Sequence, residues 1–460
     1  MDDFEQKSTA FVDWLRSSAG ATVSDKISLH DLRHRGAGRG VIAAQDIHEG
    51  EVLFSIPRKA VLSAANSALS SALPQVVDDV DPWQALILAM IYEYLRGSET
   101  PWKPYFDILP AHFDTLMFWS DQELSELQAS AVTEKIGKDD ANVTFRENLI
   151  PLIRRHAKVF FPSDNGTSVN DHELLELAHR MGSTIMAYAF DIEPESANKN
   201  VDEEGYASED EDEALPKGMV PLADMLNADA DRNNARLHHG PGALTMEAVS
   251  DIKAGDEIFN DYGALPRSDL LRRYGYVTPN YAQYDVVEVS TQLIAEIVQA
   301  EANLADEELQ EKLDYLADQD LVESGYDITG IPSEEPESAF SPEMCLLLAS
   351  LVLPNKDFQR MKSKGKLPKP DMTPQMARLL EQIIAKRAAE YPTSLEQDKT
   401  LAATDVSDIR KSMALAVRIG EKEILEQAHA LLQSISQGSE SAKRSAPGGD
   451  SGFQKKRKTA

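Results

Sequence analysis

Between residues 218 and 277 the chain carries the stretch around which everything else must be arranged. GMVPLADMLNADADRNNARL opens with an apolar run that ends on Asn227. A Gly255-Asp256-Glu257 turn then launches a strand onto Asn260-Asp261-Tyr262-Gly263, and a short helix delivers Tyr274-Gly275-Tyr276. The remaining sequence frames those sixty residues.

Upstream, Phe11, Trp14 and Leu15 fall at helical spacing and predict an N-terminal helix within residues 1–20. LRHRGAGRGVIAAQDIHEGEVLFSIPRKAVLS reads as strand, turn, strand, punctuated by glycines and closed by Pro57. From Trp83 the apolar positions Leu86, Ile87, Met90, Ile91, Tyr94 and Leu95 follow a helical stripe, with Asp81 as N-cap and Pro82 at the first turn. Residues 83–190 predict a helical insertion between β-rich halves. An acidic loop follows at 194–217, where eight of the twelve residues from Asp202 to Glu213 are acidic, too polar to bury; Ser208 within it is a candidate phosphosite. Beyond Val289, amphipathic stretches with caps predict a helical domain over 290–436. Residues 437–460 predict a disordered tail with two basic clusters, Lys443-Arg444 and Lys455-Lys456-Arg457-Lys458, resembling a bipartite nuclear import signal.

Composition narrows the function. One cysteine, Cys345, excludes a disulfide framework and a thiolate zinc cluster, and no HExxH, P-loop or nucleophile elbow occurs. The opening MDDFEQK lacks the pattern of a signal peptide, and the longest apolar run, around 85–95, is too short to cross a bilayer; the expectation is an intracellular protein without a membrane partner. A formal charge of −31 repels nucleic acid and favours a basic protein partner. GAGRG at 36–40 lacks the third glycine and the helix of a dinucleotide loop.

Read together, Gly38-Arg39-Gly40-Val41-Ile42-Ala43, Asp46-Ile47, Glu49-Gly50-Glu51, PLADMLN, Gly255-Asp256-Glu257-Ile258, Asn260-Asp261-Tyr262-Gly263 and Tyr274-Gly275-Tyr276 resemble the SET-domain protein-lysine methyltransferases. Within these, the order of motifs is similar to the Rubisco large-subunit methyltransferase branch, over roughly residues 20–435. The resemblance implies an α+β fold: a β-rich SET core over 21–289 with a helical insertion, a threaded arrangement at Asn227, and an all-helical C-terminal substrate-binding domain. It implies S-adenosyl-L-methionine as cofactor and no metal. Tyr262 matches the catalytic tyrosine. Asn227, Ala228, Tyr276 and the backbone of Ala37, Gly38 and Arg39 match cofactor-binding positions, while Tyr274, Asp224 and Phe190 match the substrate channel. Two departures stand out: Ala228 occupies the family's histidine position, and Ala187-Tyr188 replaces a Ser-Arg pair.

The resemblance further implies a monomeric enzyme adding one methyl to a lysine of a large-subunit ribosomal protein, located in the nucleus and also compatible with the cytoplasm. Two alternatives stay open: a nuclear histone or transcription-factor methyltransferase, and a catalytically degenerate scaffold that binds a basic partner. Ala228 favours the scaffold, and Tyr262 favours an enzyme.

Overall fold

The apolar run VLFSIP and the alternating ALTMEA build the larger of the sheets. Val52–Pro57 pairs antiparallel with Ala243–Ala248, flanked by Thr22–Val23 on one side and Ala235–His239 on the other. The computed structural model describes residues 3–162, 169–193, 215–332, 334–404 and 407–444. The acidic segment 202–213 with Ser208, and the basic cluster 455–458, lie outside the described residues.

The chain divides into two units: Met1–Gln122 with Glu134–Tyr281, and Glu123–Thr133 with Ala282–Ala460. In the first, a second sheet orders Glu257–Ile258, Arg39–Ala43 and Ile27–Asp31. The turn joining its last two strands is closed by Leu32 N–H donating to the Gly38 carbonyl at 2.7 Å, with Gly38 at φ +67°. A third sheet orders Leu62–Ser63, Lys217–Met219 and Ala189–Asp191. Strands and helices share one core that includes Phe54, Ile56, Leu86, Ile87, Met90, Leu226 and Ile258.

Helix Pro82–Leu95 begins where its cap signals place it. The Asp81 carboxylate accepts from Trp83 N–H and Gln84 N–H, each at 3.0 Å, a cap worth about 1 kcal/mol. It is buried from Ala85 to Glu93, and it packs against helix Asp171–Tyr188, which Asn170 and Glu173 start with a reciprocal capping box. The latter helix runs directly into strand Ala189–Asp191 and so carries Tyr188 and Phe190 into place.

Where the motifs imply a threaded arrangement, hydrogen bonds hold one segment from two sides. Segment 257–260 runs between two others. On one side Asn260 N–H donates to the Asn227 carbonyl at 2.9 Å; on the other, Asn234 N–H and Ala235 N–H donate to the Phe259 carbonyl at 3.2 Å. The Asn234 side chain completes the clasp, accepting from Phe259 N–H and donating to the Glu257 carbonyl.

In the second unit, helices Thr291–Ala302, Pro342–Val352, Pro374–Ala388 and Ile409–Arg444 surround a core including Ile294, Leu348, Leu380 and Leu425. The last helix continues to Arg444, past residue 437, where composition alone predicts order to end. One element is not helical. Val286–Ser290 pairs antiparallel with Gly325–Thr329, burying Val287, Val289, Tyr326 and Ile328 on one face. The purely helical expectation lacked this pair.

Segment Glu123–Thr133 enters this unit through buried charge. Arg418 forms a fork with both oxygens of Asp398 at 2.9 Å and also donates to the Glu126 carbonyl, while Lys422 bonds the same Asp398. Glu421 accepts from Ser130 Oγ at 2.6 Å and from Tyr391 Oη at 2.7 Å; burial lifts its carboxyl to about 7. Removing Arg418 leaves the buried Asp398 with Lys422 as its one cation and strips the Glu126 carbonyl of its guanidinium donor. Arg418→Ala is expected to lower unfolding free energy by about 3–5 kcal/mol, measured by urea denaturation.

Candidate active site

The apolar run Val220–Leu226 does more than fill the core. Leu222 sits at φ +77°, a region a branched side chain adopts only under strain, and the short helical turn Ala223–Met225 that follows brings Asp224 into the interior. Asp224 is buried, and Tyr105 Oη donates to its Oδ2. Its Oδ1 is buried with no hydrogen-bond partner. Burial pushes the Asp224 carboxyl up to about 8, against the lowering effect of the Tyr105 hydrogen bond.

Tyr262 follows the threaded segment by two residues, and its Oη donates to the Leu226 carbonyl at 3.3 Å. Its ring stacks on Tyr274 at 4.4 Å between centroids and 14° between planes; Tyr274 meets Tyr276 edge-on at 6.4 Å and 61°. Burial raises the Tyr262 phenol well above its ordinary range, and the neighbouring Tyr276, Tyr274, Tyr188 and Asp224 push the same way. Tyr188, lifted to about 12 by burial and then by Asp224, joins the cluster from the end of its helix. These phenols are therefore neutral donors at physiological pH.

Helix Arg267–Tyr274 stops at Gly275, at φ +78°. A Cβ there would lie 2.7 Å from Thr115 N and 2.8 Å from the Asp114 carbonyl carbon, so the backbone can pass only without a side chain. That close approach sets where Tyr274 and Tyr276 stand.

On the neighbouring side, Asn227 Nδ2 donates to the Arg39 carbonyl at 3.2 Å and to Glu257 Oε1 at 2.7 Å. Two acceptors on one end of the amide fix its orientation and turn its Oδ1 to the other side. Gly40 packs under it; an added Cβ would meet Asn227 Nδ2 at 3.0 Å. The Arg39 guanidinium is engaged by Ser8 Oγ and the carbonyls of Phe4 and Ile108, so what Arg39 offers the site is backbone. Gly38 has open space around its missing Cβ. Ala228 is buried and bridges Asn260.

The structure thus brings Tyr262, Tyr274, Tyr276 and Asp224 into one group, and Asn227 onto the Arg39 turn. Phe190 lies on strand Ala189–Asp191, half-buried and paired across to Gly218, two residues beyond Tyr188. Tyr105, Tyr188, Glu257 and the Leu226 carbonyl complete the group; Glu257 and Leu226 lie in the quoted motifs and Tyr188 in the Ala187-Tyr188 departure, whereas Tyr105 carried no signal beyond the aromatic character of WKPYFDILP. A groove of about 580 Å³ lined by Val61, Val77, Ile192 and Lys217 includes none of the predicted site residues. Among the described residues no group of His, Cys, Asp and Glu could hold a metal ion.

Comparison with known proteins adds the following. Residues 38–263 match the SET domain, and residues 303–425 match the domain described as Rubisco LSMT substrate-binding. The chain is 38% identical to ribosomal lysine N-methyltransferase 4 of Saccharomyces cerevisiae, over 64% of this chain and 60% of that protein. It is 30% identical to N-lysine methyltransferase SETD6 of Rattus norvegicus, over 93% of this chain and 91% of that one. Among solved structures, that of Rubisco LSMT bound to AdoMet superposes with a TM-score of 0.68 at 20% identity, covering 97% of this chain and 98% of the other.

Gly275→Ala combines a left-handed backbone, costing about 1 kcal/mol, with an overlap on the backbone at Asp114–Thr115 that costs about 1–3 kcal/mol more. Thermal unfolding should show that loss, and near-ultraviolet circular dichroism should report disruption of the Tyr262–Tyr274 stack.

Proposed function

We propose, for a chain that belongs to the SET-domain protein-lysine methyltransferases and uses S-adenosylmethionine, that methyl transfer takes place at Tyr262 and that the acceptor is a lysine of a large-subunit ribosomal protein. The observation that carries the reading is the Tyr262 phenol, neutral and stacked on Tyr274, beside the carbonyl of Leu226, the residue before Asn227.

The donor set suits a cationic cofactor. Phenol oxygens and the Leu226 carbonyl are acceptors for polarised C–H groups, the Asn227 Oδ1 is an acceptor for an ammonium, and the open left-handed Gly38 admits a ligand close to the backbone. On this reading Asn227, Ala228 and the backbone of Ala37, Gly38 and Arg39 hold the cofactor, with Tyr276 packed against its adenine. Bound S-adenosylmethionine supplies an electrophilic methyl group on a sulfonium. The chain's own residues do the rest. Tyr274, Asp224 and Phe190 line the path of the lysine, and the stacked rings exclude water, which lowers the lysine pKa and favours the neutral amine needed for in-line attack. Tyr262 orients the reacting centre through its oxygen, and its raised pKa keeps it from serving as the base. Ala228 removes an imidazole and leaves a backbone N–H to donate.

A ribosomal target is supported by the likeness to the yeast protein and by the charge of −31, which speeds encounter with a basic partner. A single methyl per lysine is part of the reading, with the Tyr262–Tyr274 stack as one wall of the lysine path. Activity as a monomer completes the reading. A second reading, a nuclear methyltransferase of histones or transcription factors, draws on the likeness to SETD6 over nearly the whole chain.

Labelled S-adenosylmethionine incubated with large ribosomal subunits or core histones distinguishes them. Wild type should label ribosomal protein, with one methyl by mass spectrometry. Tyr262→Phe should lower kcat about 100-fold or more, and Asn227→Ala should weaken cofactor binding at least tenfold. Label only on histones favours the second reading, and no transfer to either substrate, with no thermal shift on adding cofactor, rejects catalysis. Deleting residues 441–460 should abolish nuclear accumulation of a fluorescent fusion; an unchanged distribution removes the tail as an import signal.

A further inference from the structure

Among the described residues, the buried carboxylates of Glu93, Asp229, Asp398 and Glu421 are bonded at both oxygens. Glu93 accepts from Ser67, the Ala68 N–H and Thr100. Asp229 accepts from Arg232, Asn280 and two backbone N–H groups. Asp398 and Glu421 are satisfied by the network around Arg418 and Tyr391. Asp224 departs from this pattern: Tyr105 holds Oδ2, and Oδ1 is buried without a partner. A buried acceptor left unmatched is costly, and the cost falls when a ligand brings a donor.

The group that fixes Asp224 is itself fixed. Tyr105 is fully buried on the short helix Lys103–Phe106, and its ring stacks on Phe11 at 5.9 Å and lies parallel to Trp14 at 6.5 Å and 4°. Phe11 and Trp14 belong to the N-terminal helix Asp3–Ser17. The first turns of that helix also take the Arg39 guanidinium, through Ser8 Oγ, the Phe4 carbonyl and the Phe4 ring. One helix therefore steadies both Tyr105 and the turn at Arg39.

We propose that Tyr105, clamped by the N-terminal helix through Phe11 and Trp14, is a positioning residue for methyl transfer: it holds Asp224 by one carboxylate oxygen and leaves the other to receive an N–H of the incoming lysine. The proposal rests on the placement of Asp224 on the substrate side of the site. Tyr105 acts through Asp224 and touches neither cofactor nor substrate. The titratable groups facing Asp224 are Tyr105, Tyr188 and Tyr262, all phenols that stay neutral below pH 9, so titration of the carboxyl should dominate any change of activity near pH 8.

The hydrogen bond from Tyr105 favours the ionised carboxyl, so removing it should move protonation of Asp224 to higher pH. The test measures kcat/KM from pH 6.5 to 9.5 on whichever of large ribosomal subunits or core histones the wild type methylates, with cofactor affinity and thermal stability measured alongside. Tyr105→Phe is expected to fold, to bind S-adenosylmethionine within about twofold of wild type, to lose about tenfold in kcat/KM at pH 7.5, mainly through KM, and to shift the midpoint of the pH profile upward by about one unit. Asp224→Asn should abolish that limb of the profile, and adding Tyr105→Phe to it should change nothing further. An unmoved midpoint with the same proportional loss at every pH, or full additivity of the two substitutions, overturns the proposal and leaves Tyr105 a packing residue. A wild-type chain that methylates neither probe refutes instead the methyl-transfer reading on which the proposal depends.

Discussion

The clasp on segment 257–260 is the constraint on which the site depends. A strand held on one side by the Asn227 carbonyl and on the other by Asn234 and Ala235 cannot shift register without breaking both sets of hydrogen bonds. Because successive residues face opposite ways, a slip by one would turn Tyr262 away from the Leu226 carbonyl and Glu257 away from the Asn227 amide. Segments distant in sequence are thereby locked to each other, and the phenols inherit their positions from that lock.

Burial then sets the chemistry of those groups. Tyr262, Tyr188 and Asp224 are all moved in the same direction, toward their neutral forms, because each is taken from water, and Asp224 pushes the two phenols further the same way. Asn227 differs in kind: its amide is spent on two acceptors, and only its oxygen remains to face a ligand.

Sequence made local structure legible and left distant partnership hidden. Helix Pro82–Leu95 was readable because its cap, its proline and its stripe lie within fifteen residues. Tyr262, Tyr274 and Tyr276 could be grouped because they are close in sequence and sit in recognisable motifs. The pairing of Tyr105 with Asp224, or of Asn227 with Glu257, leaves no periodicity to detect, since each contact is made by a single side chain reaching across the fold. The hairpin of Val286–Ser290 with Gly325–Thr329 does leave a trace, the alternation in VVEVS, yet it is too short to stand out between helices. No compositional mark separates Glu123–Thr133 from the residues on either side, although it bonds to residues nearly three hundred positions later.

That displaced segment has a consequence for synthesis. As the chain leaves the ribosome, Ser130 and the Glu126 carbonyl emerge long before Glu421 and Arg418 exist to meet them. Residues 123–133 therefore meet these native partners only after nearly the whole chain has been made. These partners lie on the C-terminal helix Ile409–Arg444, so a chain ending before residue 409 would leave Ser130 and Glu126 without Glu421 and Arg418.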